Sequence, residues 1–489
     1  MPITPVTLGV QSNPARNSAA GAARLINCYA EDAGDEAKIR FPLFASDGFD
    51  DWTTLSGGGA IRAMLQFSDT EAYVVSGTKV FKVTSAKVVT ELTGSVAATG
   101  RVTIARNRRE PNAEVGIACG GVFSVIDTSG TSLATVDLAP LDTGTLVSLS
   151  GLDGYFILAF DNGEFFVTNI DNATTIDTQD FDKAESHPDS NLATAVWGRD
   201  AALFGANSTE FWQNTGATPF PLERTAAMSV GCYAADSVVE IVIVRPGAGA
   251  ADNIIWAATD SDGAYAGIMM LNGYSGIKIS SNAVDRAITG ESDPANITAT
   301  KWTRDGHVFY VISGTAFTWV YDTSTGFWEE RESASETRWR VSHVMAFAGT
   351  NIAGDFETAN LYDMNPDAYD EAGTEMTMTV IPPAVHAWPN PVRINSVYLD
   401  TIPGVGLASG AAGDVDPTVT MQHSKDNGVT WSTARTKKIG TITEKSKRVK
   451  WIGGIGQSGE DGFLFRFQIS ARVFKGITGM AADVIAVKG

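Results

Sequence analysis

The sequence predicts an all-β protein, with a β-propeller-like domain of six or seven blades followed by a C-terminal β-sandwich. Forty-nine glycines and 18 prolines in 489 residues indicate many tight turns. β-Branched and aromatic runs between those turns favour strands. An apolar hairpin pattern also recurs at intervals of 40 to 53 residues. Helical periodicity is scarce, and Ala22–Ala30 has room for a turn or two of helix at most.

The recurring unit is a short apolar strand, a tight turn and a second apolar strand. Turns such as SGT, CGG, DNG and SDG suit hairpins that need positive φ. One small sheet cannot bury both of its faces, so a repeat of this length is typical of blades packed radially around an axis. The competing interpretation, unrelated hairpins in a sandwich, accounts less well for the regular spacing. The units begin at residues 72, 115, 155, 201, 254, 307 and 352.

The pattern changes near Gly373. From Glu375 onward seven short strands follow one another closely, which indicates a β-sandwich. The small-residue loop Gly404–Asp416 is expected to project from it. We therefore expect an N-terminal arm and first strand over residues 1–50, the propeller-like domain over 51–373 and the sandwich-like domain over 374–489.

Charge and cysteine content limit the function classes. A net charge of −20 argues against tight DNA binding, because phosphate contacts require basic groups. The negative charge does not argue against enclosing DNA, because an acidic channel wall surrounds DNA without binding its phosphates. The alternative explanation of the charge is simple solubility. Cys28, Cys119 and Cys232 are odd in number and far apart, which predicts buried thiols and folding in a reducing cytoplasm. No apolar run is long enough for a membrane span, and the first residues do not resemble a secretory signal.

The clearest local motif is SKDNGVTW, which resembles the Asp-box S-x-D-x-G-x-T-W. Its expected role is structural: the Ser and Asp bond the turn backbone, the Gly takes a left-handed conformation and the Trp packs beneath. Only one copy is identified. Because the motif occurs in sialidases, a glycan-binding or glycan-cleaving propeller is the alternative function. The motif residues are Ser424, Asp426, Gly428, Thr430 and Trp431.

No pattern of catalytic or ligand residues is identified. A glycosidase needs two convergent carboxylates, and no pair stands out among 56 acidic residues. The five histidines show neither metal-ligand nor triad spacing, and Gly57–Gly59 lacks the Lys-Ser/Thr of a phosphate loop. We therefore predict no enzyme activity, no metal and no cofactor. The histidines are His187, His307, His343, His386 and His423.

Residues 435–450 form a basic strip in this acidic chain. The segment RTKKIGTITEKSKRVK carries seven basic residues and one acid, Glu444, for a local charge of +6. One interpretation is a solvated hairpin face. The other is a contact surface for an acidic neighbouring subunit or for DNA phosphates. The basic residues are Arg435, Lys437, Lys438, Lys445, Lys447, Arg448 and Lys450.

Several segments together resemble the tail hub or nozzle proteins of short-tailed bacteriophages (podoviruses), also called packaged-DNA stabilisation proteins. The resemblance extends from about residue 20 to the end, although each motif alone is weakly specific. The chain is more acidic than is usual in that family, and its KRVKW segment is less arginine-rich. The matching segments are 24–31, 185–189, 196–200, 205–216, 447–451 and 463–470, with Gly479 and Val484.

The resemblance implies a virion structural protein that is assembled in the host cytoplasm and added to the tail after genome packaging. In that family six copies form a ring below the portal and its adaptor. The ring extends and closes the DNA channel, retains packaged double-stranded DNA until ejection without reading its sequence, and carries tailspikes or fibres and a plug or needle. A cellular propeller scaffold is a third possibility, but the chain lacks WD and kelch signatures.

Overall fold

A computed structural model describes residues 3–127, 129–184, 186–245 and 249–487. Across these residues the regular secondary structure is almost entirely β-strand, which confirms the predicted all-β class. Two α-helices, α1 (Asn282–Gly290) and α2 (Ala412–Val415), interrupt the strands, with 3-10 turns at Ala139–Leu141, Ala235–Ser237 and Pro294–Asn296. The N-terminal strands are β1 (Thr4–Val6), β2 (Arg24–Ile26), β3 (Cys28–Ala30), β4 (Leu43–Ala45) and β5 (Asp50–Thr54).

Seven small sheets succeed one another in the described part of the chain and form the blades of a propeller. Blade 1 contains β6 (Ile61–Gln66), β7 (Glu71–Ser76), β8 (Lys79–Thr84) and β9 (Val89–Glu91). Blade 2 contains β10 (Val102–Arg106), β11 (Val115–Cys119), β12 (Val122–Ile126) and β13 (Leu133–Val136). Blade 3 contains β14 (Leu146–Leu152), β15 (Tyr155–Phe160), β16 (Glu164–Val167) and β17 (Phe181–Lys183). Blade 4 contains β18 (Asn191–Trp197), β19 (Asp200–Gly205), β20 (Thr209–Asn214) and β21 (Leu222–Met228).

The remaining blades depart from the simple four-strand order. In blade 5 the two-residue β22 and the seven-residue β23 both pair with the same side of β24, and blade 7 is completed by β5 from the N-terminus. Blade 5 contains β22 (Gly231–Cys232), β23 (Val239–Arg245), β24 (Gly249–Thr259), β25 (Tyr265–Leu271) and β26 (Gly276–Lys278). Blade 6 contains β27 (Thr298–Arg304), β28 (His307–Ser313), β29 (Thr318–Asp322) and β30 (Phe327–Glu330). Blade 7 contains β31 (Val341–Phe347), β32 (Thr350–Asp355), β33 (Asn360–Asp363) and β5.

Each of the seven hairpins found in the sequence forms the second and third strands of one blade. The second strand lies in the middle of its sheet, and both of its faces pack against neighbouring blades. Its residues therefore form a continuous apolar run instead of an alternating pattern. All seven residues of β28, for example, are buried. The six-or-seven-blade prediction is therefore resolved as seven in the described chain.

Adjacent blades enclose separate apolar cores. Phe123 and Phe156 pack edge to face between blades 2 and 3, while Ile61 and Phe347 belong to the core between blades 7 and 1. The ring is closed by β5, in which Thr53 pairs with Leu361 of β33. An N-terminal strand therefore holds together the first and last blades.

The C-terminal strands form two sheets that share one apolar core, including Leu399, Trp451 and Phe465. One sheet has the order β3-β4-β42-β37-β40, with β1 also pairing with β42. The other runs from blade 6 through β2 into β36, β41, β38 and β39. N-terminal strands thus complete both sheets. β34 (Asp370–Glu371) and β35 (Thr374–Glu375) form a separate two-stranded sheet. The C-terminal strands of the two larger sheets are β36 (Met378–Ile381), β37 (Val392–Thr401), β38 (Thr418–Ser424), β39 (Arg435–Lys438), β40 (Val449–Gln457), β41 (Leu464–Ile469) and β42 (Gly476–Ala486).

Candidate functional site

The propeller axis is lined by the first strands of the blades. They surround a cavity of about 570 Å³ that receives residues from every blade. Most lining positions are small or apolar, because the strand edges converge there. The ionisable side chains that interact across the cavity are Arg101, Asp236, Glu240, Lys301 and His343.

Arg101 bridges this cavity. It begins blade 2 and forms an ion pair with Asp236 of blade 5, which is three blades away in a ring of seven. On the way its Nη1 donates to Ser148 Oγ of blade 3 (3.1 Å) and to the Leu192 carbonyl of blade 4 (3.3 Å). One side chain therefore ties together four consecutive blades across the axis.

The bridged axis is too small for nucleic acid. Arg101 and Asp236 form an ion pair across the axis, and the cavity there has a volume of only about 570 Å³. A double helix cannot pass through the propeller of a single chain. Any conduit for DNA would have to lie between chains.

Glu240 of blade 5 and Lys301 of blade 6 line the same cavity. Glu240 Oε1 accepts a hydrogen bond from the Val196 amide (2.6 Å), and the Lys301 ammonium donates to the Glu240 carbonyl. Although water reaches Glu240, its depth in the cavity raises the pKa of its carboxyl. The same desolvation lowers the pKa of Lys301. These charges are satisfied locally and do not form a concentrated site for a polyanion.

The Asp-box turn is held by its own side chains. Ser424 Oγ donates to Asp426 Oδ1 (2.6 Å) and accepts from the Gly428 amide (2.8 Å). Asp426 Oδ1 accepts from the Thr430 amide (2.9 Å), and Oδ2 accepts from the Thr430 hydroxyl. Gly428 has φ +90°, and the Trp431 ring lies 4.4 Å from the Arg466 guanidinium. These bonds lower the pKa of Asp426 to about 2, the opposite of what a general acid requires.

Two further turns use an Asp carboxylate in a related way, although neither has the Asp-box sequence. Asp127 Oδ1 accepts from the amide of Thr131 four residues later (2.7 Å), and Asp260 Oδ1 does the same for Ala264 (2.9 Å). In both turns the glycine stands three residues after the Asp, instead of two as in the Asp-box. The sequence signal that both turns share is the pattern D-x-x-G-x, in which the amide of the residue after the glycine binds the Asp carboxylate.

The basic strip lies on two different sheets. β39 pairs with β38, whereas β40 pairs with β37, so the single hairpin face considered from the sequence is wrong. Trp451 Nε1 donates to the Arg435 carbonyl (2.9 Å) and joins the two sheet edges. Lys438 pairs with Asp416, and Lys447 pairs with Glu444 (2.9 Å). The strip residues without an ion pair to a described carboxylate are Arg435, Lys437, Lys445, Arg448 and Lys450.

His307, Asp322 and Ser324 lie together but do not have triad geometry. Asp322 Oδ2 (2.7 Å) and Ser324 Oγ (2.9 Å) both contact the same ring nitrogen, Nδ1 of His307. Ser324 also donates to Asp322 Oδ1 (2.7 Å), so the three groups brace the turn after β29. Among the described residues no cluster of His, Cys, Asp and Glu could hold a metal ion.

The N-terminal motif 24–31 lies where the propeller joins the C-terminal sheets. Arg24 makes a bidentate ion pair with Glu330 of blade 6. Asn27, at φ +56°, bonds the backbone on both sides of the junction, through Glu332 and Thr377. Sequence reasoning noted these residues only as a family signature. Glu185, the first residue of the 185–189 motif, lies outside the described residues.

A comparison with protein families agrees with these observations. The family model described as "Bacteriophage P22 Gp10, beta-propeller" matches residues 47–369. The chain belongs to this family. The matched range begins just before β5 and ends just after β33, so it contains all seven blades of the ring. Membership in the P22 Gp10 family confirms a phage tail-related family and agrees with a virion component.

A comparison with solved structures found matches of low identity and low structural similarity. The WD40 propeller domain of Doa1 is 15% identical with a TM-score of 0.40, covering 65% of this chain and 96% of its own. YCF48 bound to D1 peptide is 10% identical with a TM-score of 0.40, covering 65% and 97%. The extracellular domain of BT4673 from B. thetaiotaomicron is 10% identical with a TM-score of 0.43, covering 84% and 56%. No curated protein matches the chain. Within the described residues, no helix has the length and hydrophobicity to cross a membrane.

Proposed function

We propose that this P22 Gp10-family protein is a structural hub, or nozzle, of a short-tailed phage tail, without enzymatic activity. Several copies, six by resemblance, form a closed ring. The lumen shared by the copies extends the DNA channel and helps to retain the packaged genome. The ring receives the tail adaptor on one side and carries the spikes or fibres and the plug on the other.

The observation that supports the proposal is the ion pair across the propeller axis, in a chain that belongs to a phage tail-related family. Arg101 and Asp236 cross that axis, so one chain offers no passage for a duplex. A protein that encloses DNA must then do so with several copies. Cyclic association of identical chains produces such a lumen directly.

The charge distribution suits a lumen along which DNA slides. Residues 1–373 carry 23 basic and 47 acidic side chains, a net −24, whereas residues 374–489 carry 13 and 9, a net +4. If the acidic propellers face the lumen, DNA phosphates meet like charge across water and are not held in place. Sequence-specific binding to bases is not part of this role.

Cryo-electron microscopy of the virion tests the proposal. The chain should form a ring on the tail axis, with DNA density in the shared lumen and none along the individual propeller axes. A chain absent from the tail, or DNA passing through a propeller, would contradict it. The purified protein should release no sugar from bacterial polysaccharides; turnover abolished by a single carboxylate substitution would instead favour the glycan-cleaving alternative.

A further inference from the structure

We infer that the basic strip of one copy binds an acidic, aromatic groove on the next copy, so that the ring is assembled head to tail. This inference rests on the proposed ring. The groove is defined here by Val10, Pro383, His386, Trp388, Glu460 and Asp461, which line a cavity of about 490 Å³.

The groove presents an exposed aromatic ring beside two free carboxylates. Trp388 is 72% exposed at the tip of a tight turn closed by the Asn390 amide and the Ala387 carbonyl (2.9 Å). A reciprocal backbone pair between Val385 and Phe463 (2.8 and 2.9 Å) holds this turn against the loop that carries Glu460 and Asp461. Both carboxylates are exposed, and neither forms an ion pair within the described chain.

Arg448, one of the strip cations without a carboxylate partner, lies at the opposite end of the same strand pair. In the β37–β40 ladder Val449 pairs with Leu399, while Gln457 pairs with Arg393. Arg448 therefore leaves one end of the ladder, and the loop with Glu460 leaves the other. β37 spans this ladder in six steps, from Arg393 to Leu399, so at about 3.3 Å per step the two ends lie about 20 Å apart.

Complementary patches at opposite ends of a rigid sheet favour a heterologous contact. When the strip of one copy contacts the groove of the next, repeating that contact produces a ring if the rotation between copies closes, whereas two copies that make the contact twice about a twofold axis would stop at a dimer. Patches about the length of the ladder apart favour the repeated contact, and the size of the assembly distinguishes the two. Lys and Arg side chains can pair with the carboxylates and also lie over the Trp388 ring, where the attraction of a cation for an aromatic face adds to the ion pair. A strip bound in this groove would cover the exposed Trp388 ring and pair with both Glu460 and Asp461.

A second copy fits this groove better than DNA does. The groove is acidic and repels phosphate, whereas every copy carries a strip with five cations lacking a carboxylate partner among the described residues. In the strip, Lys437 and Arg448 are exposed and make no described side-chain bond. They can be reversed in charge without breaking an internal pair.

The test uses two full-length charge-reversal variants, each unable to pair with itself. The strip variant carries Lys437→Glu and Arg448→Glu; the groove variant carries Glu460→Lys and Asp461→Lys. Native mass spectrometry and light scattering measure assembly of each variant alone and of an equimolar mixture. Arg199→Glu and Glu223→Lys, at exposed positions of blade 4, are matched controls. Circular dichroism and melting curves verify that every variant is folded.

We expect each variant alone to associate about a hundredfold more weakly than wild type, because the strip falls from +6 to +2 in one variant and two groove carboxylates become cations in the other. The mixture should restore alternating rings, because the reversed strip meets the reversed groove. Folded variants that assemble alone as well as wild type, or a mixture that does not recover, would overturn the inference. Loss of DNA retention with assembly intact would assign the strip to DNA instead. A wild-type chain that joins neither rings nor tails would contradict the proposed function itself.

Discussion

Asn27 and Glu332 exchange two hydrogen bonds that join the N-terminal arm to the propeller. Asn27 Nδ2 donates to the Glu332 carbonyl (2.9 Å), and Asn27 Oδ1 accepts from the Glu332 amide (3.0 Å). The side-chain amide thus takes the place of a peptide unit in a β-ladder. The same Nδ2 also donates to Thr377 at the start of the C-terminal sheets (3.1 Å). One buried side chain links three segments that are far apart in sequence.

Asn27→Ala should lower the free energy of unfolding by about 1–3 kcal/mol, because it leaves buried backbone groups without partners. Alanine also tolerates φ +56° poorly, so Asn27→Gly separates the two causes by relieving only the backbone. Urea unfolding gives the energies, and hydrogen exchange at the Glu332 amide reports the local loss. Unchanged exchange at Glu332 in both variants would contradict the assigned role.

The blades were predictable from the sequence, but the contacts that join distant parts of the chain were not. A hairpin is a local feature, written in a dozen residues such as Tyr155–Val167. The Asn27 bonds and the Arg101–Asp236 pair connect positions 305 and 135 residues apart, with no local pattern to indicate the partner. The insertion of β2 between blade 6 and β36 is unpredictable for the same reason.

The ion pair across the propeller axis should hold blades 2 and 5 together. Both side chains are partly exposed, so we expect a coupling energy of about 1.5 kcal/mol, near the lower end for charged hydrogen bonds. A double-mutant cycle with Arg101→Met and Asp236→Asn, read by urea unfolding, measures it. Additive single-mutant effects would show that the bridge does not stabilise the ring.

Lys475 should make stability depend on pH in the alkaline range. Its ammonium is buried, donating to the Met376 carbonyl (2.7 Å), and desolvation lowers its pKa to about 8. Between about pH 8 and 10.5 the unfolded chain binds a proton that the folded chain does not, so wild-type stability rises with pH relative to Lys475→Met. The full difference is on the order of 3 kcal/mol. If the melting temperatures of the two proteins changed with pH by the same amount across this range, the prediction would be refuted.

Asp426 should contribute to folding and not to ligand binding. Its carboxylate bonds to Ser424 and Thr430 lower its pKa to about 2. The ionised form is thus preferred in the folded turn, and its stabilisation is complete above about pH 4 and lost as the pH falls to about 2.

Asp426→Ala should therefore melt at a lower temperature than wild type at neutral pH, with the difference shrinking as the pH falls from about 4 to about 2. Asp426→Asn, which keeps one oxygen acceptor but no charge, should lie between the two at neutral pH and show the same convergence. Melting curves recorded from pH 7 downward test both statements. A glycan array probed with the same proteins supplies the functional comparison. A glycan-binding signal lost in Asp426→Ala at an unchanged melting temperature would show that this turn binds a ligand, because a carboxylate that only braces its own hairpin cannot be removed without loosening it.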